Sequence, residues 1–538
     1  MMLRACHTLG PKYNAPSYND AHSEEVVMTK YFAALLVMFF IAWPSFAADP
    51  NGYTAQYECR AGGPYCNVDV AKLVSRACDQ VVTVSTPWSQ INWSNNTICI
   101  EAGNHTSKGT LTIPSSASGS SGSFKVLRYY RTDDNNDEPW KQSAANQAKI
   151  RNFDVTGNYW IIHRITVNAN GGDNKSNFWG TNYILNRMLL ENMIGAHGSF
   201  IVAFHGAVDN ATIQNSVIRN AGLTGTSGAD QNCVVNAAGK NVHIVNNEIY
   251  HCQGDAIATP ANNPSGVPGF VVENNDLYST PARYSDGFGN LTPTGDYGCS
   301  ENAIDLKTGG QVAALYSRII HNRMWGFRKT DFNCGGSGSS GEALVFHESP
   351  ELTVKNSYGL IQNNIIFDSP WGITSPNGSP DHYSIIGNIF WNIQDATRTI
   401  EYAVDTKGGT DHEIYLNTFI DTNRGVKTNG SNIDVRCNVF ISSGAMSASG
   451  TGIEFDYNVF FSTPVYTTTT LLTNIVGTKA SDSKNVEFCF TRKLRTGPEV
   501  ICIPNVRATS TSPHAAACDR DIGSRPNLGI SNTQLLGF

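Results

Sequence analysis

A chain of 538 residues has room for several ordinary domains or for one elongated repeat body. Charged residues are only 15% of it and glycine fills 49 positions, a balance that favours strands and turns over solvent-facing helices. A formal net charge of -7 offers no broad basic surface of the kind nucleic-acid binding needs, so no nucleic-acid partner is expected.

Residues 1–27 carry neither hydrophobic periodicity nor a targeting pattern and read as an upstream mis-start, with Met28 as the true start. Residues 28–47 have the layout of a secretory signal peptide: a lysine near the start, an apolar run from Tyr31 to Trp43, and small residues around Ala47-Ala48 for the cut. The run is too short to span a bilayer comfortably, and no later stretch is long enough. Its removal takes Cys6 from the 13 cysteines and leaves an even set, which suits disulfides in an oxidising compartment. A secreted monomer without a transmembrane segment is the expectation.

Residues 48–100 read as an N-terminal cap. Asn67 to Ala77 places Val70, Leu73, Val74 and Ala77 on one helical face behind a capping Asn67, a short amphipathic helix suited to cover the first coil. Ile98-Cys99-Ile100 and Leu111-Thr112-Ile113 then read as opening strands, and Ser115 to Ser123 as a small-residue loop.

Residues 101–470 are governed by a repeat. Apolar residues alternate up to an asparagine, and mostly apolar residues follow it, as in Ile213-Gln214-Asn215-Ser216-Val217, Val245-Asn246-Asn247-Glu248-Ile249 and Ile386-Gly387-Asn388-Ile389-Phe390. Further instances fall at Asn192, Asn274, Asn322, Asn363, Asn417, Asn438 and Asn458. The shortest spacings, roughly 20 to 24 residues, are one coil of a parallel β-helix, and longer ones mark coils with inserted loops. Stacked coils bring equivalent asparagines about 4.8 Å apart, close enough to hydrogen-bond in a ladder. The fold class is therefore all-β, a right-handed parallel β-helix of about ten coils. After residue 470 the pattern stops. Residues 471–538 read as a closing segment in which Phe488-Cys489-Phe490 and Val500-Ile501-Cys502-Ile503 form a disulfide-bearing hairpin.

Two loops exceed the coil period by the most. One, from about Ser279 to Ser300, contains Arg283, Tyr284 and Tyr297; the other runs from Lys329 to Gly341, and together they could wall a groove for an extended polymer. Cys299 and Cys334 are placed to tie them together. Between the loops lies Glu301-Asn302-Ala303-Ile304-Asp305-Leu306-Lys307. With Ile304 and Leu306 in the core, alternation sends Glu301, Asp305 and Lys307 outward. Aligning Ala343-Leu344 of a following coil with Ala303-Ile304 brings His347 to the position of Lys307, and Arg328 lies in the chain between.

These residues resemble the β-helix polysaccharide lyases. In the pectate lyase group a carboxylate, three residues and an aspartate on one strand help bind calcium with an acid from the preceding coil; Glu301 and Asp305 match that spacing, and Asp276 or Glu273 stands in the preceding coil. The chondroitinase B and alginate lyase group uses a lysine followed by an arginine behind an aromatic residue, the layout of Lys307 and Phe327-Arg328. Carboxylates four residues apart on a straight strand lie about 13 Å apart, so Glu301 and Asp305 share an ion only if the chain bends after Ser300.

The resemblance implies β-elimination from an acidic, uronate-containing polysaccharide, with calcium at Glu301, Asp305 and Asp276. Lys307 is the expected base and Arg328 the neutraliser, with His347, Tyr284 and Tyr297 as further candidates for acid or base and Arg283, Tyr284 and Tyr297 as substrate contacts. The competing readings are glycoside hydrolysis, uronate epimerisation and a non-catalytic glycan-binding or adhesin β-helix.

Overall fold

The computed structural model describes residues 68–508 apart from 131–137, 170, 196–197, 223–230, 260–265, 280–299, 309–314, 328–340, 348–355, 376–379, 395–401, 442, 444–445, 457, 461–482 and 492–499. The expected loop residues Arg283, Tyr284, Tyr297, Cys299, Arg328 and Cys334 all lie outside the described residues, as do the signal segment and Asn67.

Successive strands of the chain are dealt in turn to three parallel sheets. Sheet 1 has 14 strands from Gln80–Val82 to Thr451–Asp456, sheet 2 has 13 from Gly103–Asn104 to Val459–Phe460, and sheet 3 has 12 from Leu111–Ile113 to Ser447–Ala448. One coil is Val271–Glu273 in sheet 1, Asp276–Tyr278 in sheet 2 and Ile304–Leu306 in sheet 3. This is a right-handed parallel β-helix with more than the expected ten coils, because the coils before residue 160 are built without the asparagine repeat. Every strand of a coil finds its hydrogen-bond partners in the coils above and below, so no segment folds without its neighbours. A single apolar core runs the length of the body from Val82 to Phe455, filled by Trp160, Phe178, Phe204, Phe270, Phe346 and Tyr383 among others.

The asparagine ladder is present at the turn from sheet 1 into sheet 2. Asn247, Asn275, Asn322, Asn364, Asn388, Asn417, Asn438 and Asn458 are all essentially unexposed. From Asn247 to Asn438, each donates Nδ2 to the next Oδ1 at 3.0–3.1 Å and to a carbonyl of an earlier coil. The residue just before the ladder is left-handed at each rung from Asn247 to Asn438, for example Asn246, Asn274, Asn363 and Gly387, which is why asparagine doublets and glycine occur there. Asn192 is not a member. It ends a sheet 2 strand, and its carboxamide instead pairs with Asn220 at 3.1 Å, in a separate short stack.

The ends differ from expectation. The N-terminal helix spans only Val70–Val74, is capped by Asp69, whose side chain accepts from Lys72 N at 2.9 Å, and buries Val70 alone. It packs against the sheet 1 strands Lys125–Tyr130 and Trp160–His163. The hairpin Ser483–Thr491 and Val500–Ala508 forms with Cys489 opposite Cys502, and its second strand lies along Ile389–Ile393, Thr418–Ile420 and Val439–Ile441 of sheet 2. Disulfides join Cys78 to Cys99 and Cys233 to Cys252. Among the described residues no helix is long and apolar enough to cross a membrane.

Candidate functional site on the outer face of sheet 3

The three sheets have different outer faces. That of sheet 2 is a buried aromatic stack, Tyr250, Tyr278, Trp325, Phe367 and Trp391, with centroid separations of 4.4–5.8 Å. That of sheet 3 is polar, and the register lays its outward side chains in rows. One row passes from Asn177 through Val235, Asp305, Thr374 and Asp405 to Lys427; the neighbouring row carries Trp179, His205, Lys307, His347 and Lys407.

At the middle of this face Ile304 and Leu306 point into the core and Asp305 points out, as alternation requires. Pairing of Leu306 with Phe346 brings Lys307 beside His347, the alignment expected from Ala343-Leu344. Asp305 joins the two. Its Oδ2 lies 2.5 Å from Lys307 Nζ and its Oδ1 lies 3.0 Å from His347 Nδ1. Burial opposes ionisation of Asp305, whose residue is 3% exposed, but Lys307 and His347 outweigh it and hold the carboxyl below its ordinary range. For His347 burial acts to lower the pKa, and the hydrogen bond and charge of Asp305 overcome it, so the imidazole is raised above its ordinary 6.5. Glu342 adds to the rise and Lys307 opposes it. With Nδ1 engaged by the carboxylate, the free nitrogen is Nε2, the arrangement by which a carboxylate orients a catalytic imidazole.

Glu301 is buried at the start of this segment, with its backbone N–H donated to Gly254 O, and the chain bends at Ala303 between Glu301 and Asp305. Asp276 does not belong to this row. It sits on sheet 2, fully buried, opposite Arg323 in register and ion-paired with it. Two of the three carboxylates offered for calcium are thus paired with cations, Asp305 with Lys307 and Asp276 with Arg323. Among the described residues no three His, Cys, Asp or Glu side chains form a metal-holding group. Asp305 and Asp276 lie on different sheets, each paired with a cation, so these two carboxylates do not together supply the oxygen ligands that a hard dication needs.

Two further clusters on the face were missed from the sequence. Toward the N-terminus Trp179 is 43% exposed, stacks on His205 at 3.7 Å, and donates Nε1 to Asp154 at 3.2 Å, while His205 Nε2 contacts Asn177 Oδ1 at 2.9 Å. Toward the C-terminus Asp405, Lys427, Tyr402 and Arg424 form a second charged group. The first had no sequence signal beyond an aromatic at a strand end. The second had one, a motif repeat described below.

No family model and no curated protein matches this chain. Among solved structures it is similar to a mannuronic acid specific polysaccharide family 6 lyase from human gut microbiota, at 14% identity over 72% of this chain and 82% of that one, with a TM-score of 0.41. It is similar also to an alginate lyase from Paenibacillus sp., at 11% identity over 72% of this chain and 99% of that one, TM-score 0.30. DFA-IIIase from Arthrobacter chlorophenolicus overlaps at 9% identity over 71% of this chain and 94% of that one, TM-score 0.38. At these identities the likeness concerns the course of the backbone alone, and the chemistry is read from the side chains.

Proposed function

We propose that the protein cleaves an acidic, uronate-containing polysaccharide by β-elimination on the outer face of sheet 3. The observation that carries this reading is the bridge made by Asp305 between Lys307 and His347. The proton to be removed from a uronate lies next to the sugar carboxylate, so its loss builds negative charge that a cation must offset while a base takes the proton. An ammonium already ion-paired has charge to offer rather than a lone pair, which favours Lys307 as the neutraliser. His347, oriented through Nδ1 and free at Nε2, favours the base. These assignments exchange the role expected of Lys307. The leaving-group oxygen also needs a proton, a role for Tyr284 or Tyr297, which precede Glu301 in the chain. An exposed indole on the same face supports a glycan partner, since sugar rings present apolar faces to aromatic side chains. The disulfides Cys78–Cys99 and Cys233–Cys252 fit an oxidising, extracellular or periplasmic setting.

The test is the rise in ultraviolet absorbance from the unsaturated product on pectate, alginate, glucuronan and glycosaminoglycans. His347→Ala and Lys307→Ala should each lower the rate by about 10² to 10⁴ on the best substrate, the usual cost of a lost acid–base or charge-stabilising group. Both side chains lie outside the core but pair with the buried Asp305, so unfolding midpoints are measured alongside to confirm that each variant is folded. Reducing ends without absorbance would replace elimination by hydrolysis. A wild type inert on every uronate polymer would refute the reading.

A further inference from the structure

The segment Glu301-Asn302-Ala303-Ile304-Asp305-Leu306-Lys307 occurs twice. It returns as Glu401-Tyr402-Ala403-Val404-Asp405-Thr406-Lys407, with the same acid, alanine, branched apolar, aspartate and lysine positions. Ladder pairing sets the two aspartates in one row of sheet 3, three strands apart, a distance of about 14 Å.

The second copy has its own charged surroundings. Lys427, from the next strand, reaches Asp405 Oδ2 at 3.0 Å. Arg424 donates Nη1 to the Tyr402 hydroxyl at 2.9 Å, and both Arg424 and Lys427 lie 5.3 Å from the Tyr402 ring centroid. The Asp405 side chain is 9% exposed, and its Oδ1 has no hydrogen-bond partner. Thr374, opposite Asp405 on the preceding strand, also holds a buried and unpartnered hydroxyl. Buried polar atoms are normally satisfied, so two orphans side by side on a polar outer face mark a place where a ligand supplies the missing bonds. Lys427 and Lys407 act on the Asp405 carboxyl, and Arg424 stands at the neighbouring Tyr402.

We propose that Asp405, Thr374, Arg424 and Lys427 form a second glycan position that holds a carboxylated sugar of the same polymer, about 14 Å along the helix from the Asp305 centre. It rests on the reading of the substrate as a uronate polymer. Arg424 and Lys427 attract the sugar carboxylate, and Asp405 and Thr374 bond its hydroxyls. Burial raises the pKa of Asp405 against the pull of Lys427 and Lys407. A polymer long enough to bridge the two centres would be held at both, and a short one at one only.

The experiment is calorimetric binding of short and long oligomannuronate and oligogalacturonate to the otherwise intact chain carrying His347→Ala, so that nothing is cleaved. Arg424→Gln, which keeps a donor for the Tyr402 hydroxyl, and Lys427→Ala are added singly, with unfolding midpoints measured to confirm the fold. The expected result is a loss of at least tenfold in affinity for the long oligomers and none for disaccharides. Equal losses at every length, no loss at any length, or no binding of either uronate series would overturn the second position. Product absorbance on the wild type separates the two proposals. Unsaturated product together with Arg424-independent binding defeats the second position alone, and Arg424-dependent binding without product defeats the elimination reading alone.

Discussion

Replacing Asn364 by alanine tests whether the asparagine ladder is a structural necessity or a decoration of the turn. The carboxamide of Asn364 makes four hydrogen bonds: Oδ1 accepts from Asn322 N at 2.8 Å and Nδ2 at 3.1 Å, and Nδ2 donates to Ile319 O at 2.8 Å and Asn388 Oδ1 at 3.0 Å. Each such bond is worth about 1 kcal/mol net, and a buried group left unpaired costs about 1–3 kcal/mol, which places the substitution at about 4 kcal/mol or more. Water cannot readily replace the lost partners, since Asn322, Asn364 and Asn388 are all fully buried. Asn364→Asp keeps the acceptor for Asn322 but loses both donors and sets a carboxylate against Asn388 Oδ1, so it should destabilise most at neutral pH and less in acid, where protonation restores one donor. Urea unfolding followed by far-ultraviolet circular dichroism gives the loss, and hydrogen exchange locates it in the coils that bear Asn322, Asn364 and Asn388. An alanine variant within 1 kcal/mol of the wild type (about 1 kcal/mol being one bond's worth) would refute the reasoning.

The acid limb of the pH–rate profile should lie above 6.5, because His347 must be neutral to accept a proton and its pKa is raised. Asp305→Asn should move that limb to lower pH, and an unmoved limb would remove His347 from the base role. The sign for stability is opposite: the raised pKa makes the pairing fully stabilising below 6.5, and this contribution fades as pH rises through the folded value. Leu416 occupies the left-handed position before the ladder with φ 55°, where neighbouring coils have Asn363, Gly387 and Cys437. Leu416→Asn should therefore stabilise by up to about 1 kcal/mol, read as a higher thermal midpoint, and a lower midpoint would show that its packing outweighs the strain.

The β-helix was legible because its two requirements leave marks at different periods. Inward side chains must be apolar at alternate positions, and the turn must hold a polar residue able to bond to its own copies, so Val245-Asn246-Asn247 and Ile361-Gln362-Asn363-Asn364 announce a coil each. Coils before Trp160 do not carry the repeated pattern and were undercounted. The register of His347 against Lys307 was legible for the same reason, as Ala343-Leu344 and Ala303-Ile304 pack alike. Pairings across strands were not. Arg323 opposes Asp276 and Lys427 opposes Asp405 from the next coil, 47 and 22 residues on, and no local pattern says which charge a ladder will set beside which. The pairing of Asp276 with Arg323 was therefore not announced by the sequence. The second aspartate centre stood in the sequence as a repeat of the first, but the repeat acquires meaning only once three intervening strand spacings are known to keep both copies on one face.

The separations along the asparagine ladder are 28, 47, 42, 24, 29, 21 and 20 residues, yet the carboxamide bonds they close differ by no more than 0.1 Å. The ladder thus acts as an indexing device: it clamps each coil at one point and is indifferent to how much chain is spent before the next. Loop-closure entropy rises only slowly with length, at about 0.6 kcal/mol per doubling, so an extended excursion between two rungs costs the scaffold little. The longest excursions, between Asn275 and Asn364, contain Lys307, His347 and the loops around them. The same tolerance makes these connections the natural places to graft new segments, since the clamp, and not the loop, determines where the flanking strands resume.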